Sequence, residues 1–168
     1  MTVAAALVVV SVAAVVVWSQ VRETEPTQVI DDEAGLRYDI PQSWVQAGEA
    51  EMAGEVYAMY SSVAEAPGNA WVRVRVSGPG ADALTTAKGF VAAFNGADWD
   101  SPSMVEEESV IDGHAATRFS DSDDEGRTWM AMAIEFDDRW VEVSGMAGDN
   151  EPHLIEELES IYASITVL

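Results

Sequence analysis

The spacing of apolar residues along the chain changes period several times, and each change marks an element. From Met1 to Trp18, MTVAAALVVVSVAAVVVW, there is no period at all: every residue except Thr2 and Ser11 is apolar and none is charged. As a helix this run reaches about 27 Å, near the ~30 Å hydrocarbon core of a bilayer. In lipid a single segment can satisfy its backbone only as a helix. Residues 1–18 are therefore expected to be a transmembrane anchor or signal segment, with Trp18 at the interface. No Lys or Arg precedes the run, and Val17-Trp18-Ser19 is a poor cleavage site, which favours an uncleaved anchor over a cleaved signal. Residues 19–35 are polar and acidic and read as a linker.

Period two begins at Leu36. In LRYDI, Leu36, Tyr38 and Ile40 alternate with Arg37 and Asp39, the pattern of a strand with one buried face, and Pro41 ends it. Trp44-Val45, EVYAMYSSV and AWVRVRVSG continue in the same way. In the last of these, Val72, Val74 and Val76 face opposite to Trp71, Arg73 and Arg75. DALTTAKGFVAAFNG then switches to helical spacing through Leu84, Ala87, Phe90, Val91 and Phe94, with Asp82 as N-cap and Asn95-Gly96 as stop. Strands resume around Asp112-Gly113, a two-residue hairpin signal. A further hairpin, RTWMAMAIEF and RWVEVSGM joined by Asp137-Asp138, predicts that Ile134 pairs with Val141 and Met132 with Val143 on one face. Glu135 then meets Trp140, and Ala133 meets Glu142, on the other. Finally Leu154, Ile155, Leu158, Ile161, Tyr162 and Ile165 form a helical stripe that tolerates Pro152 in its first turn. Residues 36–168 thus predict one α+β domain: an antiparallel sheet of about six to eight strands covered by two helices.

Charge narrows the function classes. Thirty Asp and Glu against eight Lys and Arg give a formal net charge of −22, which repels nucleic-acid phosphates and anionic headgroups and excludes a nucleic-acid partner. A solvated acidic shell accounts for most of that charge. With no cysteine there is no disulfide, thiolate nucleophile, Cys-ligated metal or lipid-modified N-terminal Cys.

Candidate chemistry is sparse. In DSDDEG, Asp121, Asp123 and Glu125 precede a Gly as in a calcium loop, but position twelve is Met132 and the flanks are strands, so a charged hairpin tip is favoured over a cation site. His114 and His153 each lack a neighbouring acid and nucleophile, and no Gly-x-Ser-x-Gly elbow is present. Gly78 and Gly80 do not form a dinucleotide fingerprint. No catalytic residue, cofactor or resident metal is assigned. The less ordinary feature is aromatic and basic: Trp71, Arg73 and Arg75 share a strand face, and Trp129 and Trp140 lie on the less apolar face of their hairpin. If that face is open, the five form a partner-binding patch of the residue types enriched at interfaces. If a helix covers it, the tryptophans are core and the arginines are internal partners for the acids.

The opening strand GLRYDIPQSW, the β-rich first half, the central helix, the IDGHAATRF hairpin and the closing ELESIYASITV helix together resemble the PsbP-like α/β/α sandwich superfamily. Its relatives include the Ran-binding MOG-type proteins and the actinobacterial LpqN/LpqT-type exported lipoproteins. The resemblance spans roughly Leu36 to Leu168. It implies a non-enzymatic accessory or binding role and carries over no catalytic residue. The chain lacks the lipobox Cys of the lipoproteins, so its leader would replace the lipid. The expectation is a single-pass membrane protein, its domain extracytoplasmic, contacting a protein or envelope component without catalysis. A secreted or anchored hydrolase with a spatially assembled site, or a cytoplasmic-facing chaperone-like module of the same fold, are the alternatives.

Overall fold

The computed structural model describes residues 25–47, 56–61, 69–78, 82–94, 102–148 and 152–168. The expected transmembrane segment 1–18 lies outside them, and among the described residues no helix is long and apolar enough to cross a membrane. The elements run β1 (Thr27–Asp31), β2 (Leu36–Ile40), β3 (Val45–Gln46), β4 (Val56–Ser61), β5 (Ala70–Ser77), α1 (Ala83–Phe94), β6 (Val105–Ile111), β7 (His114–Ser122), β8 (Thr128–Glu135), β9 (Trp140–Ala147), α2 (Pro152–Ser164) and β10 (Thr166–Val167).

Two antiparallel sheets form, rather than the one expected. Seven strands take the order β3-β4-β5-β9-β8-β7-β6, and β1-β2-β10 make a second, smaller sheet. Strand β1 falls within the segment expected to be linker, so the folded unit extends upstream of Leu36. The two Asp-containing turns close as the sequence predicts. At Asp112-Gly113 both φ angles are positive, 49° and 93°, and Ile111 pairs with His114. Around Asp137-Asp138 the Phe136 amide donates to the Arg139 carbonyl at 2.9 Å, and the four predicted β8–β9 pairs all form.

The large sheet carries a packed layer on both faces. Toward α2 and the small sheet it presents Val72, Val74, Met130, Met132, Ile134, Val141 and Val143, which pack with Leu36, Tyr38, Ile40, Leu158 and Ile161. The Trp44 indole ties the opening strand to this layer by donating to Glu157 of α2 at 2.7 Å. The Tyr162 hydroxyl sits 3.0 Å from the carbonyls of both Met130 and Val143. Its single proton is shared between them, pinning α2 to β8 and β9.

Toward α1 the sheet presents Ala131 and Ala133, and these small floor residues let the alanine side of the helix come close. Ala83, Ala87, Phe90, Val91 and Ala92 are buried, whereas Leu84 and Phe94 of the expected stripe are exposed. Asp82 caps α1 as expected: its carboxylate accepts the Thr85 amide at 2.9 Å and the Thr85 hydroxyl.

Candidate functional site

The five aromatic and basic residues nominated by the sequence do share the α1 face of the large sheet. Trp71 of β5 and Trp129 of β8 flank Met146 of β9 in one cross-strand row, and α1 covers both. Phe90 meets each edge-on, at 5.8 Å and 6.0 Å between ring centroids, and Phe94 stacks on Trp129 at 4.8 Å. These two tryptophans are core residues, 8% and 6% exposed, and leave little area for a partner. Arg73 lies over the Phe90 ring at 4.9 Å, donates from Nε to the Ser144 hydroxyl at 2.8 Å and places Nη2 3.5 Å from Glu142. The Ser144 hydroxyl in turn donates to Glu142 at 3.0 Å. Glu142 is buried and meets both Arg73 and Ser144, an arrangement that ties β5 to β9. Arg75, in register with Glu142, and Trp140, in register with Ser77, are half-buried on the same face.

The acidic hairpin tip is organised by a residue just beyond it. Asp123 accepts the amides of Glu125 and Arg127 at 3.0 and 2.9 Å, Arg127 Nε at 2.6 Å and the Trp129 indole at 3.3 Å. Burial pushes the Asp123 carboxyl up, but the Arg127 and Trp129 donors together hold it below its ordinary value. Glu125 pairs with Arg127 Nη2 at 3.0 Å, while Asp121 takes the Ser122 amide and the Ser103 hydroxyl. The Arg127 guanidinium thus takes the position of a cation at this tip. Among the described residues no three His, Asp or Glu side chains converge as a metal site. His114 places Nδ1 3.0 Å from the Glu135 carbonyl and its ring 4.6 Å from Phe136, a structural contact between two hairpin ends. His153 is exposed in the first turn of α2.

Sequence reasoning missed a groove on the α2 side of the large sheet. Helix α2 packs on β2, β5 and β9, so among the described residues the outer strands β6 and β7 are left uncovered on its side of the sheet. A groove follows between α2 and β6, with β7 and β8 as its floor. One section, about 590 Å³, is lined by Ser109, Ile111, Arg118, Met132, Tyr162 and Ile165 among others. The other, about 390 Å³, is lined by Val105, Ser120, Met130, Ile155 and Glu159 among others. The groove's lining is acidic: Glu107, Glu108, Asp121 and Glu159 stand against Arg118, whose Nε donates to Glu107 at 3.0 Å across β7 and β6. The groove carries apolar surface, hydroxyls, one ion pair and further carboxylates, an inventory suited to holding a chain. Its only sequence signal is VEEESVI, whose acids and valines leave neither face of β6 clearly apolar.

No protein-family model and no curated protein matches the sequence. Solved structures do match. The cyanobacterial PsbP (CyanoP) of Synechocystis sp. PCC 6803 has a TM-score of 0.59 at 14% identity, over 88% of this chain and 95% of its own. LpqN of Mycobacterium tuberculosis, described as involved in cell envelope biogenesis, has a TM-score of 0.54 at 15% identity, over 85% and 90%. The Ran-binding protein Mog1p of Saccharomyces cerevisiae has 0.51 at 10% identity, over 84% and 95%. The protein therefore has the PsbP-like, MOG-type α/β/α sandwich fold that its opening strand and closing helix suggested, including the variant found in LpqN. At these identities the likeness is one of fold.

Proposed function

We propose that this is a non-catalytic binding protein of the cell envelope. The first eighteen residues hold it at a membrane, the domain lies on the extracytoplasmic side, and a protein partner is held in the groove between α2 and β6–β7. The observation that carries this proposal is the groove, open along two sections and lined by apolar, hydroxyl and carboxylate groups around the Arg118–Glu107 pair. The fold it shares with a Ran-binding protein and with a protein of envelope biogenesis supports a binding role. The uncharged leader supports the anchor.

A photo-crosslinking side chain at Ala163, in the groove, is the test, with Thr85 on the exposed side of α1 as control. In intact membranes a protein adduct specific to Ala163 is expected. Equal capture at both positions, or none at Ala163, overturns the groove assignment. Because the chain has no cysteine, Glu25→Cys provides a single thiol for topology. Labelling by a membrane-impermeant maleimide on intact cells is expected, and protection until lysis would place the domain on the other side.

A further inference from the structure

We infer that β6 is a docking edge for an extended segment of another protein, added as an eighth strand of the large sheet and alternating basic with apolar residues. This inference names the partner's chemistry at the groove and rests on the proposal above. Among the described residues strand β6 is the outermost strand, seven residues long, whereas the opposite edge, β3, has two. The Asp112-Gly113 turn sets its hydrogen bonding. In a two-residue hairpin the flanking pair is bonded, here Ile111 with His114, and bonded pairs then recur at Ser109, Glu107 and Val105. The amides and carbonyls of Glu106, Glu108 and Val110 consequently point away from β7, three pairs of backbone groups aligned for a new strand.

The side chains select the occupant. A second copy of β6 would bring the Glu106-Glu107-Glu108 run against itself, and like charges directly opposite destabilise a pair. On the α1 face, Glu106 reaches Lys88 at 3.6 Å and is half-exposed, while Glu108 has no ion pair among the described residues. On the groove face, Glu107 is already neutralised by Arg118, and its neighbours are Val105, Ser109 and Ile111 at the groove's outer rim. Successive residues of an added strand alternate between these faces. Positions opposite Glu106 and Glu108 would take Lys or Arg, and those between them would take apolar side chains lying along the rim.

The probe is a ten-residue peptide alternating lysine and valine, titrated into the full-length chain in mild detergent and followed by amide exchange of β6. Protection is expected at Glu106, Glu108 and Val110, with a scrambled peptide of the same composition binding at least ten-fold more weakly. Glu108→Pro removes an outward amide that bonds nothing within the sheet, so the fold should persist while peptide affinity falls at least ten-fold. If that variant misfolds, Glu106→Lys/Glu108→Lys provides the second arm and should abolish the preference for the basic peptide. Equal binding of the scrambled peptide, or unchanged affinity in Glu108→Pro, overturns strand addition. Loss of the Ala163 adduct instead would sink the groove proposal itself, whereas a retained adduct with a failed peptide sinks only this inference.

Discussion

The guanidinium of Arg73 lies 3.5 Å from the carboxylate of Glu142, a side chain only 1% exposed on the central strand pair of the large sheet. Removing one partner of such a pair strands the other charge in a low-dielectric site, which costs more than the pair contributes when intact. Arg73 retains 27% exposure, so water softens the penalty. Arg73→Met is expected to lower unfolding stability by about 2–3 kcal/mol. Adding Glu142→Gln, whose amide can still accept from Ser144, should recover about half of that loss. Denaturant unfolding of the two variants checks this; a cost below about 0.5 kcal/mol for the single variant would show the pair to be incidental.

Two buried tyrosines make opposite predictions for the same change. The Tyr38 hydroxyl is buried against Tyr60, whose ring it meets edge-on at 6.2 Å, and has no hydrogen-bond partner of acceptable geometry. Tyr38→Phe removes a polar group that folding has stripped of water, so stability should stay level or rise by about 1 kcal/mol. The Tyr162 hydroxyl serves two carbonyls, and Tyr162→Phe leaves both short of a donor. That variant should lose about 1–3 kcal/mol. Equal effects of the two substitutions in thermal or denaturant unfolding would contradict the assignment of their hydroxyls.

The β8–β9 register could be read from sequence because both strands are apolar on one face and their turn length is set by two aspartates, leaving a single pairing that matches. The α2 stripe was legible for a similar reason: Leu154, Leu158, Ile161, Tyr162 and Ile165 all meet one core. Strands β1 and β10 were not. In TQVID only Val29 packs inward, and Thr166-Val167 has two residues, so each becomes a strand only through the β2 edge it joins. The buried side of α1 was misplaced toward Leu84 and Phe94 because hydrophobicity favours large side chains, whereas the alanine floor of β8 selects small ones. The Trp and Arg face posed two alternatives in sequence, and for Trp71 and Trp129 the covered one is what folding produces. Pattern alone cannot say which helix crosses which face. The groove is a gap between elements and has no residue signature of its own.

Alkaline pH should unfold the protein early. Burial, with the neighbouring Tyr60 and Asp31 adding to it, pushes the Tyr38 phenol above its ordinary range. Burial, with the charge of Glu142, pushes Tyr162 well above it. In the unfolded chain both ionise near pH ~10. Above that the unfolded state binds fewer protons than the folded one, so the stability present below pH ~10 falls by about 1.4 kcal/mol per pH unit for each group. Denaturant midpoints measured from pH ~9 to ~11.5 should decline with this slope, and Tyr38→Phe should make the decline shallower. A flat profile would mean that neither phenol resists ionisation in the fold.

Gly145 of β9 lies where the sheet and α2 approach closely. A Cβ there would stand 2.7 Å from the Trp71 carbonyl oxygen and 2.9 Å from Leu158 Cδ1 of α2. The leucine end can swing aside, but the carbonyl belongs to β5, which is bonded to β9 along its length and can move only by opening the ladder. Gly145→Ala is therefore expected to destabilise by about 1–3 kcal/mol, the usual cost of forcing extra atoms into a closed core. Gly78, whose Cβ position meets nothing within 4 Å, is the matched control, and Gly78→Ala should stay within about 0.5 kcal/mol of the parent. If Gly145→Ala proved as mild as the control, β5 and β9 would have to be more separable than their register implies. The anchoring of α2 on β9, which forms the inner wall of the groove, would then be looser as well.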